Sequence, residues 1–137
     1  MPRFSAESLS KLATCHIDLQ TLFFQVIQTF DCIIIEGHRG EAEQNKDFAE
    51  HKSELCYPKG NHNAIPSHAV DVMPMPLDWN NTVHINFFAG YVLGIAQKLK
   101  DESKMTHSIR WGGQWMRNLS EIPQKGFQDI DHYEIVP

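Results

Sequence analysis

Asn61-His62-Asn63-Ala64-Ile65-Pro66-Ser67-His68-Ala69-Val70-Asp71 is the stretch on which the reading of this chain turns. Its first part closes a segment from Leu55 to Ser67 that is rich in Pro, Gly and Asn and reads as a loop. Its second part opens a short strand, Ala69 to Val72, stopped by Pro74 and Pro76. A histidine thus sits in a loop and a carboxylate on a strand, nine positions apart (71 − 62). They converge only if the loop folds back, and Pro66-Ser67 is the place for it. Histidine and aspartate are ligand types of catalytic zinc, which takes three protein ligands and leaves a fourth position to water. Asp129-Ile130-Asp131-His132-Tyr133-Glu134 supplies a third candidate and further carboxylates. Spacing alone leaves His62 and His68 in competition. Neither HExxH nor a Cys/His finger spacing occurs, so those metal sites are excluded.

Upstream, Leu19, Leu22, Phe23, Val26, Ile27 and Phe30 recur at the 3.6-residue period and predict a helix with one apolar face. Ser5 or Ser8 caps a shorter helix before it. Cys32 to Ile35 reads as a buried strand, broken by Gly37 and Gly40 before a helix or helical turn over Glu41 to Glu50. Downstream, Phe87, Phe88, Tyr91, Val92, Ile95 and Leu99 predict the face of a long helix. Ile109 to Trp111 is a strand ended by Gly112-Gly113, and His132 to Val136 is the last strand. Helices lead and short strands come mostly later, with little βαβ alternation, which predicts an α+β domain over a doubly wound sheet.

The 137 residues carry no internal repeat or linker, so residues 1–137 are expected to form a single domain. With 42% hydrophobic and 21% charged residues the chain is too apolar for a disordered one. A net charge of −5 without a basic cluster argues against nucleic acid as a partner. No apolar run approaches the roughly 20 residues of a bilayer span, so no membrane insertion is expected. The N-terminus lacks the pattern of a secretory signal, which predicts folding in a reducing cytoplasm. Cys15, Cys32 and Cys56 are accordingly read as reduced packing residues. Eight histidines justify looking for a metal site without establishing one.

Four ordered blocks carry a resemblance. They are Glu36-Gly37-His38-Arg39-x-x-x-x-Gln44, His62-Asn63-x-x-Pro66-Ser67-x-Ala69-Val70-Asp71, Ile109-Arg110-Trp111-Gly112-Gly113-x-Trp115, and Asp129-x-x-His132-Tyr133-Glu134. Together they resemble the LAS-type zinc peptidases, more narrowly the D-Ala-D-Ala carboxypeptidase-like branch with its short phage L-alanyl-D-glutamate endopeptidase endolysins. Gln114 departs from that pattern, where Asp is common.

The resemblance implies a small, mostly antiparallel sheet with helices packed on one side. It implies Zn2+ on His62, Asp71 and His132, with Asp129 as the acid–base carboxylate. Arg39 is similar to the family arginine that contacts the substrate carboxylate or the developing oxyanion, and Ser53 to a substrate-side serine. The implied reaction is hydrolysis of the L-alanyl-D-glutamate bond in bacterial peptidoglycan stem peptide by a phage-type endolysin. Such an enzyme is made in the host cytoplasm and acts on the wall after release, and a monomer is expected. The alternatives are a D-Ala-D-Ala carboxypeptidase of the same fold and a non-catalytic zinc-containing wall-binding module. By strand alternation His68, three residues before Asp71, faces the other way and reads as surface, and Asp131 points across the strand from His132. Glu134 shares a face with His132 and either orients it or forms a structural salt bridge. Trp111 is read as core, and Trp115 as a residue that lines the cleft.

Overall fold

Ser5 opens helix α1 (Ala6–Leu12): its hydroxyl accepts the Ser8 amide at 3.1 Å, satisfying a donor that the first turn leaves without a partner. His16 does the same for α2 (Ile17–Val26), accepting the Asp18 amide on Nδ1 at 3.0 Å. The computed structural model describes residues 2–50, 60–113 and 129–137. After α2 come β1 (Cys32–Glu36), α3 (Glu41–Ala49), a 3₁₀ turn (Asn61–Asn63) and β2 (Ala69–Pro74). Helix α4 (Thr82–Asp101), β3 (Ser108–Trp111) and β4 (His132–Val136) complete the chain. The four strands form one sheet in the order β1-β2-β4-β3, antiparallel throughout, so the α+β expectation holds.

The sheet has an apolar face and a polar face because side chains alternate along each strand. Val70 and Val72 of β2 and Tyr133 and Ile135 of β4 are buried among Leu22 and Phe23 of α2 and Phe88 and Val92 of α4. The Tyr133 ring meets Phe23 edge-on at 5.4 Å and Phe88 at 6.4 Å. Burying one such aromatic ring contributes about 1.5–3 kcal/mol. The contacts also fix the height of β4, whose first residue is His132.

Several expectations change. Phe87 is 67% exposed, and Ile85, Ala89 and Ala96 complete the buried face of α4 in its place. An aromatic residue at the flank of a helical stripe counts as apolar in sequence, but the partner surface decides whether it is covered. Of the helices, α2 and α4 cover the apolar face, whereas α1 lies along β1, where the Ser8 hydroxyl takes the Ile34 amide at 3.1 Å. That contact occupies a donor on the outer edge of an edge strand. Cys15 and Cys32 are free and buried, and burial pushes both thiols up to about 12; Cys56 lies outside the described residues.

One irregularity serves the polar face. The β1–β2 register runs Ile34 to Val72 and then Glu36 to Asp71, with a bulge between. A bulge adds a residue to one strand and turns the residues beyond it to the other face. Without it Ile35 would lie opposite Asp71; with it, Glu36 does.

Candidate metal centre

On the polar face Asp71 and His132 are register partners on adjacent strands, and the 3₁₀ turn brings His62 to them. His62 Nε2 lies 3.1 Å from Asp71 Oδ1 and 3.3 Å from His132 Nδ1, and His132 Nδ1 lies 3.3 Å from Asp71 Oδ1. All three side chains are buried. The remaining ring nitrogens fix which atoms point inward. His62 Nδ1 is 2.7 Å from the Gly37 carbonyl, which can only accept, so that nitrogen carries the hydrogen. His132 Nε2 donates to Glu134 Oε1 at 2.7 Å. Outer partners of this kind set tautomer and ring orientation for metal-binding histidines. A side chain at Gly37 would overlap the Lys11 carbonyl and the Thr14 hydroxyl, so only glycine places that carbonyl under His62.

Three electron-pair donors therefore face one another, and such a set needs a positive charge among them. A divalent cation fits its chemistry, two imidazoles and one carboxylate. Without a metal, a proton takes the place. Burial alone would lower the pKa of His132, but the hydrogen bonds it donates to Asp71 and Glu134 push it up to about 10. Burial likewise opposes the charge on Asp71, yet the two histidines hold its carboxyl far below the usual range.

Asp129 stands beside the three, its Oδ2 3.7 Å from His132 Nδ1 and its side chain partly exposed. The turn that holds it is closed on both sides. The Gly112 amide donates to the His132 carbonyl at 2.8 Å, and the Asp129 amide to the Gly112 carbonyl at 3.1 Å. A Cβ at Gly112 would run into the Asp129 carbonyl, which gives the Gly-Gly block a structural reason. Asp131 is not turned away as strand alternation suggested. It precedes β4, where alternation does not apply, and is buried with its carboxylate among those of Asp71 and Asp129. Burial, the charge of Asp71 and a hydrogen bond with Asp129 push its pKa up to about 9.

Arg39 is also brought to the centre, its Nη2 3.6 Å from Asp71 Oδ2. His68 is outside it, half-buried with its ring against His16 at 6.2 Å. Trp111 packs in the core and donates from Nε1 to the Ile130 carbonyl at 2.8 Å. Ser53, Gln114 and Trp115 lie outside the described residues. The reading of the sequence missed the site-facing position of Glu36, since a bulge leaves no periodic signal, and that of Asp131.

The family model for phage L-alanyl-D-glutamate peptidase matches residues 1–136. No curated protein matches the chain. Among solved structures, that of the Serratia marcescens L-Ala D-Glu endopeptidase ChiX has the same fold, with a TM-score of 0.69 and 22% identity over 98% of this chain and 90% of that one.

Proposed function

The chain belongs to the phage L-alanyl-D-glutamate peptidase family, and from that premise we propose that it is a zinc-dependent enzyme with His62, Asp71 and His132 as metal ligands and Asp129 as general base and acid. It is a peptidase of peptidoglycan, and the bond it hydrolyses is that between L-alanine and D-glutamate in the stem peptide. The observation that carries the zinc reading is the convergence of His62 Nε2, Asp71 Oδ1 and His132 Nδ1, with both imidazoles oriented by a partner behind them. A zinc ion held by His62, Asp71 and His132 would supply a bound water with its pKa lowered from about 15.7 towards ~7 and a Lewis acid for the scissile carbonyl.

The chain's own residues do the rest. Asp129, partly exposed and beside His132, takes the proton of the attacking water and passes it to the leaving amine of D-glutamate. Asp131 holds Asp129 through the hydrogen bond between their carboxyls. Glu134 keeps His132 Nε2 protonated and its Nδ1 aimed at the centre. The single domain acts as a monomer on the wall, after release from the cytoplasm in which it is made; no helix among the described residues is long and apolar enough to cross a membrane.

Digestion of purified sacculi and defined muropeptides tests this reading. A new amino group on D-glutamate, lost with a chelator and restored by zinc, is the expected result. Release of terminal D-alanine alone would assign the chain to carboxypeptidase chemistry, and binding without hydrolysis to a wall-binding module.

A further inference from the structure

Arg39 resembles a substrate-binding arginine in sequence, but its surroundings give it other work. It is buried, at 8% exposure. A guanidinium grips a carboxylate through a pair of N–H groups on one of its edges. The Nε/Nη2 edge is closed by Glu36, with Nε 3.1 Å from Oε1 and Nη2 2.6 Å from Oε2. Asp47 Oδ2 adds a contact to Nε at 3.4 Å. The Nη1/Nη2 edge is divided between Gln44, whose Oε1 accepts from Nη1 at 2.9 Å, and Asp71, whose Oδ2 lies 3.6 Å from Nη2. The Nε/Nη2 pair is thus taken by Glu36, and Nη1 by Gln44.

The main chain of Arg39 is engaged as well. Its amide donates to the His62 carbonyl at 2.8 Å, and its carbonyl accepts from Asn63 Nδ2 at 2.9 Å. Arg39 thus joins the turn bearing His62 to the strand bearing Asp71. The bulge in β1 delivers Glu36, and α3 presents Gln44 and Asp47 three positions apart (47 − 44). Gln44 is 1% exposed, a burial that a polar side chain tolerates only when hydrogen-bonded.

We propose that Arg39 is a positioning residue of the metal centre, a strut that fixes the Asp71 carboxylate and the His62 turn relative to each other. The inference rests on reading His62, Asp71 and His132 as metal ligands.

The test measures zinc affinity by chelator competition, the visible spectrum of the cobalt-substituted protein, and kcat and KM at saturating metal. The peptides carry D-glutamate with its carboxylate free or amidated. Arg39→Lys is expected to weaken zinc binding by about 10–100-fold and shift the cobalt spectrum, with KM and the free-to-amidated preference within about twofold of the parent. Glu36→Gln, which loosens the strut but keeps the guanidinium, is expected to move zinc affinity in the same direction by less. A raised KM and a lost preference with unchanged zinc affinity would overturn the proposal. If Arg39→Lys does not fold, unchanged zinc affinity in Glu36→Gln overturns it alone. Absence of zinc from the parent chain, or zinc retained in His62→Ala, would instead overturn the metal reading.

Discussion

Among the described residues, two groups of two histidines and an aspartate bring their ligand atoms within 4.8 Å of one another: His62/Asp71/His132 and His16/Asp18/His107. Their composition is the same, and their hydrogen bonds are opposite in sense. In the first group the hydrogens point outward, to the Gly37 carbonyl and to Glu134, and the electron pairs point in. In the second, His16 Nδ1 and Asp18 Oδ2 are spent on the chain's own donors. His16 Nδ1 takes the Asp18 amide, and Asp18 Oδ2 takes the amides of Thr106 and His107, the Thr106 hydroxyl and His107 Nδ1, all within 3.2 Å. Burial disfavours the charge on Asp18, but these bonds together lower its pKa. The second group is a clamp joining the start of α2 to the approach to β3. Residue types in proximity do not make a metal site; the direction of the committed hydrogens does.

The largest expected effect separates the two groups outright. His132→Ala should take bound zinc from about one ion per chain to background and abolish hydrolysis, while His107→Ala leaves both unchanged. Metal analysis after dialysis reads this, and equal loss from both variants would break the comparison. Next, Asp129→Ala should keep its zinc while turnover falls by about 10²–10⁴-fold. Loss of zinc along with activity would make Asp129 a ligand.

A pH series sharpens the comparison further. Without metal, folded His132 keeps its proton to about pH 10, whereas the unfolded chain releases it near 6.5. The stability this group contributes is therefore full below pH 6.5 and lost as pH rises through about 10. Asp131, protonated up to about 9, adds to the decline. Thermal melts of chelator-treated protein should fall over that range. Zinc must displace the His132 proton, so its affinity should rise with pH. A zinc affinity independent of pH would contradict the proton-for-metal exchange. The smallest effect belongs to the clamp: Asp18→Ala strands the amides of Thr106 and His107 and should cost about 1–3 kcal/mol in denaturant unfolding without altering zinc content.

Much of this was legible in sequence because periodicity and punctuation report local geometry. The α2 face, the strand at Ala69 and the last strand at His132 fall where expected, and strand alternation places Glu134 with His132. Phe87 departs from its expected burial because its exposure depends on where the partner surface ends. Asp131 departs because strand alternation does not extend to the residue before the strand. Glu36 escaped because a bulge changes the face without changing composition.

The order of the four blocks, the strands with their apolar alternation and the residue types able to hold zinc were determined by the sequence itself, since each is a property of neighbouring positions. That His62 Nε2 meets Asp71 and His132, and that Glu36 and Gln44 hold the Arg39 guanidinium, is fixed only by the tertiary structure. His62 reaches Asp71 and His132 across 9 and 70 positions. Its orientation is set by a carbonyl 25 positions away. No local pattern encodes such contacts, because they exist only once the sheet register and the turn have brought distant backbone together.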